Sequence, residues 1–238
     1  NPAFAAPRKL ALNQTFSNLE RIRGTEGRDT FIVGTGFSNT ADTNDSFDDP
    51  IRSGAGVFEF VGGKGIDTFA DANLTGLAMI NYDEEKWAHP EFDENNGDWG
   101  DLGEMGVVVN LSADNRNIAG FGFVGAGRAL DTWGDYDVIN GITAFQLTEA
   151  DDLLLAGQDG VAVRGRGGND AFTGGDGADQ FSGGDGDDIA TGGSGNDDLN
   201  GDDGNDVLSG GAGRDHLSGQ SGNDVLSGDD GNDSLNGD

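Results

Sequence analysis

Between Gly165 and Asn236 the sequence counts in nines. GRGGNDAFT, GGDGADQFS, GGDGDDIAT, GGSGNDDLN, GDDGNDVLS, GGAGRDHLS, GQSGNDVLS and GDDGNDSLN follow one another without a break, eight copies of G-x-x-G-x-D-x-x-x. A short fixed period means one small unit repeated, each copy burying its apolar residue only against its neighbours. Glycine holds the fourth position of every copy, from Gly168 to Gly231, which asks for backbone free to enter the left-handed region. The second position is looser. Asp202 and Asp229 tolerate that region, whereas Arg166 and Gln220 do so poorly, so the loops of Arg166 and Gln220 are expected to be the least regular. The eighth position carries Phe172, Phe181, Ala190, Leu199, Leu208, Leu217, Leu226 and Leu235, expected to point inward as a thin core.

This unit, with Gly at positions one and four, Asp at six and an apolar residue at eight, resembles the RTX (repeats in toxin) hemolysin-type calcium-binding repeat family. The resemblance implies an all-β chain with a right-handed parallel β-roll, a β-solenoid in which two nonapeptides make one turn and every second loop stacks on the same edge. Stacked so, Asp170, Asp188, Asp206 and Asp224 form one row, and Asp179, Asp197, Asp215 and Asp233 the other. Adjacent strands lie about 4.7 to 4.9 Å apart, and carboxylates at such spacing resist joint ionisation. A divalent cation between them removes the conflict. Carboxylate and carbonyl oxygens suit Ca2+, and a chain with no Cys and only His89 and His216 is a poor host for zinc or copper.

The resemblance also implies a ligand set. An ion is held by the carbonyls of positions two and four and the aspartate of one loop, and by the carbonyls of positions one and three and the aspartate of the next loop but one. For one site these are Arg166, Gly168 and Asp170 with Gly183, Asp185 and Asp188. Over the whole array the first-position carbonyls are Gly165, Gly174, Gly183, Gly192, Gly201, Gly210, Gly219 and Gly228. The second-position ones are Arg166, Gly175, Gly184, Gly193, Asp202 and Gly211. The third positions are Gly167, Asp176, Asp185, Ser194, Asp203, Ala212, Ser221 and Asp230, and the fourth are Gly168, Gly177, Gly186, Gly195, Gly204 and Gly213. Three sites per row give six Ca2+. Asp152, two repeat lengths before Asp170, offers a seventh, whereas Val161, equally far before Asp179, supplies no carboxylate.

Charge agrees with that demand for cations. The chain carries a net charge of −31, and from Gly167 onward 17 Asp face a single base, Arg214. Seven Ca2+ would bring the whole to about −17 and relieve the self-repulsion that opposes compaction. The thin core leaves metal binding to supply much of the folding free energy. Without calcium a Gly- and Asp-rich array of this composition is expected to be disordered. A polyanion does not bind nucleic-acid phosphates, and no apolar run is long enough to offer a membrane span. The absence of Cys says nothing about compartment, but the weak affinity regime of extracellular calcium modules points to a secreted or cell-surface protein.

Upstream, the pattern thins. Gly24, Gly27, Asp29 and Phe31 occupy positions one, four, six and eight of a lone repeat, and Gly62, Gly65, Asp67 and Phe69 those of another, led by the alternating strand Val57 to Val61. Asp29 and Asp67 are therefore possible additional ligands. Val107 to Leu111 and Asp137 to Leu147 are similar to the segments that link repeat blocks in the same family. Residues 1–60 thus read as the end of a preceding block, 61–150 as a single repeat with linker and acidic insertion, and 151–238 as the calcium roll. Within the insertion, Asp93, Asn95, Gly97, Trp99, Asp101 and Glu104 follow the spacing of an EF-hand loop. Asp98 stands where that loop needs Gly, so a solvated loop is favoured and Asp93, Asp101 and Glu104 remain possible ligands. The absent initiator Met and a ninth repeat begun at Gly237 suggest a piece of a longer protein.

Gly120, Gly122 and Gly125 spell the dinucleotide fingerprint, but no helical stripe follows. No histidine, serine or carboxylate constellation suits catalysis. The residues therefore favour a non-enzymatic, calcium-dependent folding module, with type I secretion machinery as the partner implied by the resemblance. The alternatives are an accessory module of a secreted lipase, protease or epimerase, and an adhesion or S-layer segment with Trp87, Trp99, Trp133 and Tyr136 against a ligand.

Overall fold

The computed structural model describes residues 21–23, 30–33, 58–61, 68–71, 78–82, 106–118, 122–130 and 136–237. They are all β, with no helix. One sheet of nine strands is stacked in the order β1 (Arg21–Arg23), β3 (Phe58–Val61), β5 (Ala78–Asn81), β11 (Ala144–Gln146), β13 (Ala162–Gly167), β15 (Gln180–Asp185), β17 (Asp198–Asp203), β19 (His216–Ser221) and β21 (Ser234–Asn236). The other runs β2 (Thr30–Val33), β4 (Thr68–Asp71), β10 (Tyr136–Asn140), β9 (Arg128–Leu130), β6 (Val108–Asn110), β12 (Leu153–Leu155), β14 (Ala171–Thr173), β16 (Ile189–Gly195), β18 (Val207–Gly213) and β20 (Val225–Gly231). A hairpin, β7 (Arg116–Ile118) and β8 (Gly122–Val124), stands apart.

From residue 144 onward the chain alternates between the two sheets, making about 5 turns of a parallel β-solenoid. The register is two nonapeptides throughout: Phe145 pairs with Val163, Val163 with Phe181, Phe181 with Leu199, and Leu199 with Leu217. Strand alternation then turns the eighth position inward in both sheets. Phe172, Phe181, Ala190, Leu199, Leu208 and Leu217 are all buried, and Phe172 and Phe181 stack across the interior with centroids 5.1 Å apart. Leu226 is only partly buried, and Leu235 on β21 is 46% exposed.

The upstream strands join the same two sheets rather than a separate body. Ile80 pairs with Phe145 although the two are far apart in sequence, and Phe69 pairs with Ile139. Phe69, Ile80, Tyr82, Val109, Ile139 and Phe145 extend the core of the repeats without interruption. One irregularity interrupts the second sheet. β9 lies antiparallel between β10 and β6, so Ala129 faces both Asp137 and Val109. The glycines at 122 and 125 belong to the hairpin and its exit, followed by a turn and β9, so no helix accompanies the dinucleotide-like spacing.

Candidate metal centre

Each sixth-position aspartate sits at the corner between two strands, and stacking assigns one of its oxygens. Oδ1 accepts the backbone N–H of the equivalent residue one turn earlier. Asp170 takes that of Asp152 at 2.9 Å, Asp188 that of Asp170 at 2.7 Å, Asp206 that of Asp188 at 2.8 Å and Asp224 that of Asp206 at 2.9 Å. On the other edge Asp179, Asp197, Asp215 and Asp233 repeat the pattern from Val161 onward. The structure thus brings the predicted aspartates together in two rows.

The second oxygen is where the rows become unusual. Oδ2 of Asp170, Asp188, Asp197, Asp206, Asp215 and Asp224 is buried with no hydrogen-bond partner. A buried carboxylate oxygen without a donor is costly unless a cation meets it. Carbonyls converge on the same space: a Cβ placed on Gly183 would lie against Asp188 Oδ2 and 2.7 Å from the Gly201 carbonyl. The Gly168 carbonyl likewise projects at Gly186, whose φ of 138° carries the loop past it. Among the described residues no three Asp, Glu, His or Cys side chains converge. Each step therefore offers two carboxylates plus main-chain carbonyls, a hard-oxygen set that fits Ca2+ and not a thiolate- or imidazole-seeking metal.

The electrostatics point the same way. Burial, then the charges of Asp152 and Asp188, pushes Asp170 up to about 9. Burial, then Asp206, raises Asp188 to about 7, and burial raises Asp197 to about 6. Asp187 shares Asp188's loop but is fully exposed, and the N–H groups of Asn205 hold it below the ordinary carboxylate value. Asp179 and Asp206 of the rows are raised too, burial first among the causes.

The ends of the rows differ from their interiors. Asp152 stacks under Asp170 as expected, but both its oxygens are already engaged: Oδ2 accepts the Thr148 N–H at 2.7 Å, and the Thr148 hydroxyl and the Val107 N–H reach the carboxylate as well. Asp179 is similar in part, its Oδ2 accepting the Gly175 N–H at 3.0 Å. The loop around Gly175 is the irregular one. The strands below and above it pair over three residues at β14, against six where β16 meets β18. Its lower neighbour, residues 156–160, is not a repeat.

That corrects the expectation placed on Arg166 and Gln220, whose loops keep full register. All four non-glycine second positions are left-handed, Arg166 at φ 89°, Asp202 at 73°, Gln220 at 65° and Asp229 at 58°. Their side chains are tied down: Arg166 Nε donates to Glu149 at 2.8 Å, Asp202 accepts from Ser182, Asn200 and Gln220, and Asp229 from Ser209 and Ser227. Ninth-position Ser and Asn thereby hold second-position side chains, a role visible in sequence only as their polarity. Asp29, Asp67, Asp93, Asp101 and Glu104 lie outside the described residues, as do Trp87, Trp99 and Trp133.

Stacked corners with paired carboxylates, hollow of hydrogen-bond donors and ringed by carbonyls, define a cation-binding β-solenoid. The family model of the RTX calcium-binding nonapeptide repeat (4 copies) matches residues 148–181, 157–190, 164–199, 173–208, 182–217 and 209–238. Residues 148–238 thus match the RTX calcium-binding repeat family, a structural calcium-binding module of a kind typical of secreted proteins. No curated protein matches the chain.

Proposed function

We propose that this chain is a calcium-gated folding module of a secreted or cell-surface protein, without catalytic activity of its own, kept open where calcium is scarce and closed into the roll where it is abundant. Type I secretion machinery is the export partner that suits such a chain, since an unfolded polyanion can be threaded and then trapped by folding outside. The observation that carries the reading is the set of buried, partnerless Oδ2 atoms at Asp170, Asp188, Asp197, Asp206, Asp215 and Asp224. A ligand that binds only the folded state stabilises it by mass action, and here it also lifts the charge conflict.

Six ions fit this arrangement best: three between Asp170, Asp188, Asp206 and Asp224, and three between Asp179, Asp197, Asp215 and Asp233. The seventh site at Asp152 is dropped, because Thr148 and Val107 supply the donors an ion would replace. The Asp179 step should be the weakest, since Gly175 already holds one of its oxygens. Far-UV circular dichroism of metal-stripped chain titrated with Ca2+ tests the reading, with equilibrium dialysis counting the ions. A β signal already complete without metal at neutral to alkaline pH would defeat it.

A further inference from the structure

Two ladders of side-chain bonds climb the first edge of the roll, and they run in opposite senses. The sixth-position aspartates accept N–H groups from the turn below, as Asp188 does from Asp170. The fifth-position residues accept from the turn above. Asp151 Oδ1 takes the Asn169 N–H at 2.6 Å, Asn169 Oδ1 that of Asp187 at 2.8 Å, Asp187 Oδ1 that of Asn205 at 2.8 Å and Asn205 Oδ1 that of Asn223 at 3.1 Å. These fifth-position side chains are all exposed, unlike the buried aspartates beside them.

What they hold is a peptide plane. In a trans peptide the C=O and the N–H that follows it point opposite ways, so an N–H drawn toward the turn below aims its carbonyl at the turn above. The carbonyls of Gly168, Gly186 and Gly204 do point there, at Gly186, Gly204 and Gly222, where a Cβ would strike them. These are the fourth-position oxygens expected to meet the ions between Asp170, Asp188, Asp206 and Asp224. The N–H bonds of Asn169, Asp187 and Asn205 thus pin one carbonyl at every site of the first edge. The second edge aims the carbonyls of Gly177, Gly195 and Gly213 the same way. Only the last of them is pinned by a fifth-position side chain, through the Arg214 N–H that Asn196 Oδ1 accepts at 2.8 Å. Below Asn196 stands Ala178, and below Ala178 stands Gly160, neither with a side-chain acceptor.

We propose that the fifth-position oxygens of Asp151, Asn169, Asp187 and Asn196 are positioning groups for calcium, sorting the six sites into four whose carbonyl is pinned beforehand and two whose carbonyl is not. The unpinned sites lie between Asp179 and Asp197 and between Asp197 and Asp215. This ranking rests on the calcium reading above and deepens it, because it says which of those sites fill first. A carbonyl already aimed at the ion costs no ordering when the ion binds. The worth of one such hydrogen bond corresponds to a difference in affinity of about twofold to tenfold between the two classes.

Isothermal titration of the metal-stripped full chain with Ca2+, with equilibrium dialysis for the count, is expected to give four tighter ions and two weaker ones. Asn169→Ala frees the Asp187 N–H and leaves every expected ligand atom in place, so one ion should move to the weaker class, giving three and three. Asn169→Asp keeps Oδ1 and should restore four and two. Ala178→Asn supplies the missing acceptor below Asn196 and should give five and one. A general change in stability would shift both classes together and leave the split alone. Amide hydrogen exchange in saturating Ca2+ should be faster at Asp187 in Asn169→Ala than in the wild-type chain. A single class of sites in the wild-type chain, or a split that either Asn169→Ala or Ala178→Asn leaves at four and two, overturns the ranking while the calcium reading stands. Should Asn169→Ala not fold, Ala178→Asn decides alone. A chain that binds no Ca2+ sinks the calcium reading first, and the ranking with it.

Discussion

Asp188 accepts the backbone N–H of Asp170 at 2.7 Å through Oδ1, and its Oδ2 is buried without a partner. One oxygen holds the stack together while the other waits for a cation. Asp188→Asn keeps the acceptor and removes the charge. It is expected to weaken both steps that share this residue, toward Asp170 and toward Asp206, lowering the ion count and raising the calcium concentration at the folding midpoint. Asp187→Asn, one residue away and exposed, should leave the count unchanged. Isothermal titration of the two variants side by side distinguishes them, and equal effects would contradict the two-oxygen assignment.

The metal-free chain should respond to pH in the direction opposite to most acidic proteins. Asp170 is raised to about 9, Asp188 to about 7 and Asp197 to about 6, burial being the first cause of each. A carboxyl whose folded value lies above its ordinary 3.8 favours the folded state fully below 3.8 and loses that contribution as pH rises through the folded value. Metal-stripped chain is thus expected to retain most β signal near pH 4 and to lose it between about pH 6 and 9. Calcium reverses the trend, because it takes the ionised carboxylate, so the midpoint calcium concentration should fall over the same window. Circular dichroism against pH, with and without Ca2+, checks both signs.

The legible part of the fold is the part written in period nine. Glycine, aspartate and leucine recur because each corner and each inward position meets the same neighbours, so Asp206 or Leu208 can be placed from spacing and resemblance together. The upstream strands are less legible: nothing local in Ala78–Asn81 says that it pairs with the strand of Phe145, since insertions between turns erase the period but not the stacking. Asp152 is hard to place for a related reason. Position in the row argues for a ligand, whereas the donors that occupy it come from Thr148 and from Val107, 45 residues away. The left-handed Arg166 looks unfavourable in sequence because its partner Glu149 belongs to the loop below, a pairing that only the stack creates.

The inward leucines should be the metal-independent part of stability. Leu208 is 1% exposed and belongs to the core that runs through the repeats, between Ala190 and Leu226 on its sheet. Leu208→Ala is expected to cost about 2 to 5 kcal/mol in saturating calcium, the range for a buried leucine that leaves a cavity. Val207→Ala, next to it but facing outward, should cost under about 1 kcal/mol. Urea denaturation in Ca2+ measures both, and a larger loss at Val207 would mean that the inward and outward faces have been exchanged.

Thr148 gives the sharpest separation of structure from metal binding. Its N–H and hydroxyl satisfy the Asp152 carboxylate at 2.7 and 3.0 Å, in the place where a cation would sit one step further along the row. Burial raises Asp152 to about 7, and the Val107 and Thr148 hydrogen bonds offset part of that rise. Thr148→Val removes the hydroxyl and retains shape. Leaving a buried carboxylate short of a donor typically costs about 1 to 3 kcal/mol, and that cost should be the same at every saturating calcium concentration, with the number of bound ions unchanged. If Asp152 were instead the first ligand of the row, Asp152→Asn would lower the ion count by one while Thr148→Val would leave it alone. Dialysis counts that fall for Asp152→Asn would therefore restore the seventh ion, and counts that stay level for both variants place the start of the row at Asp170.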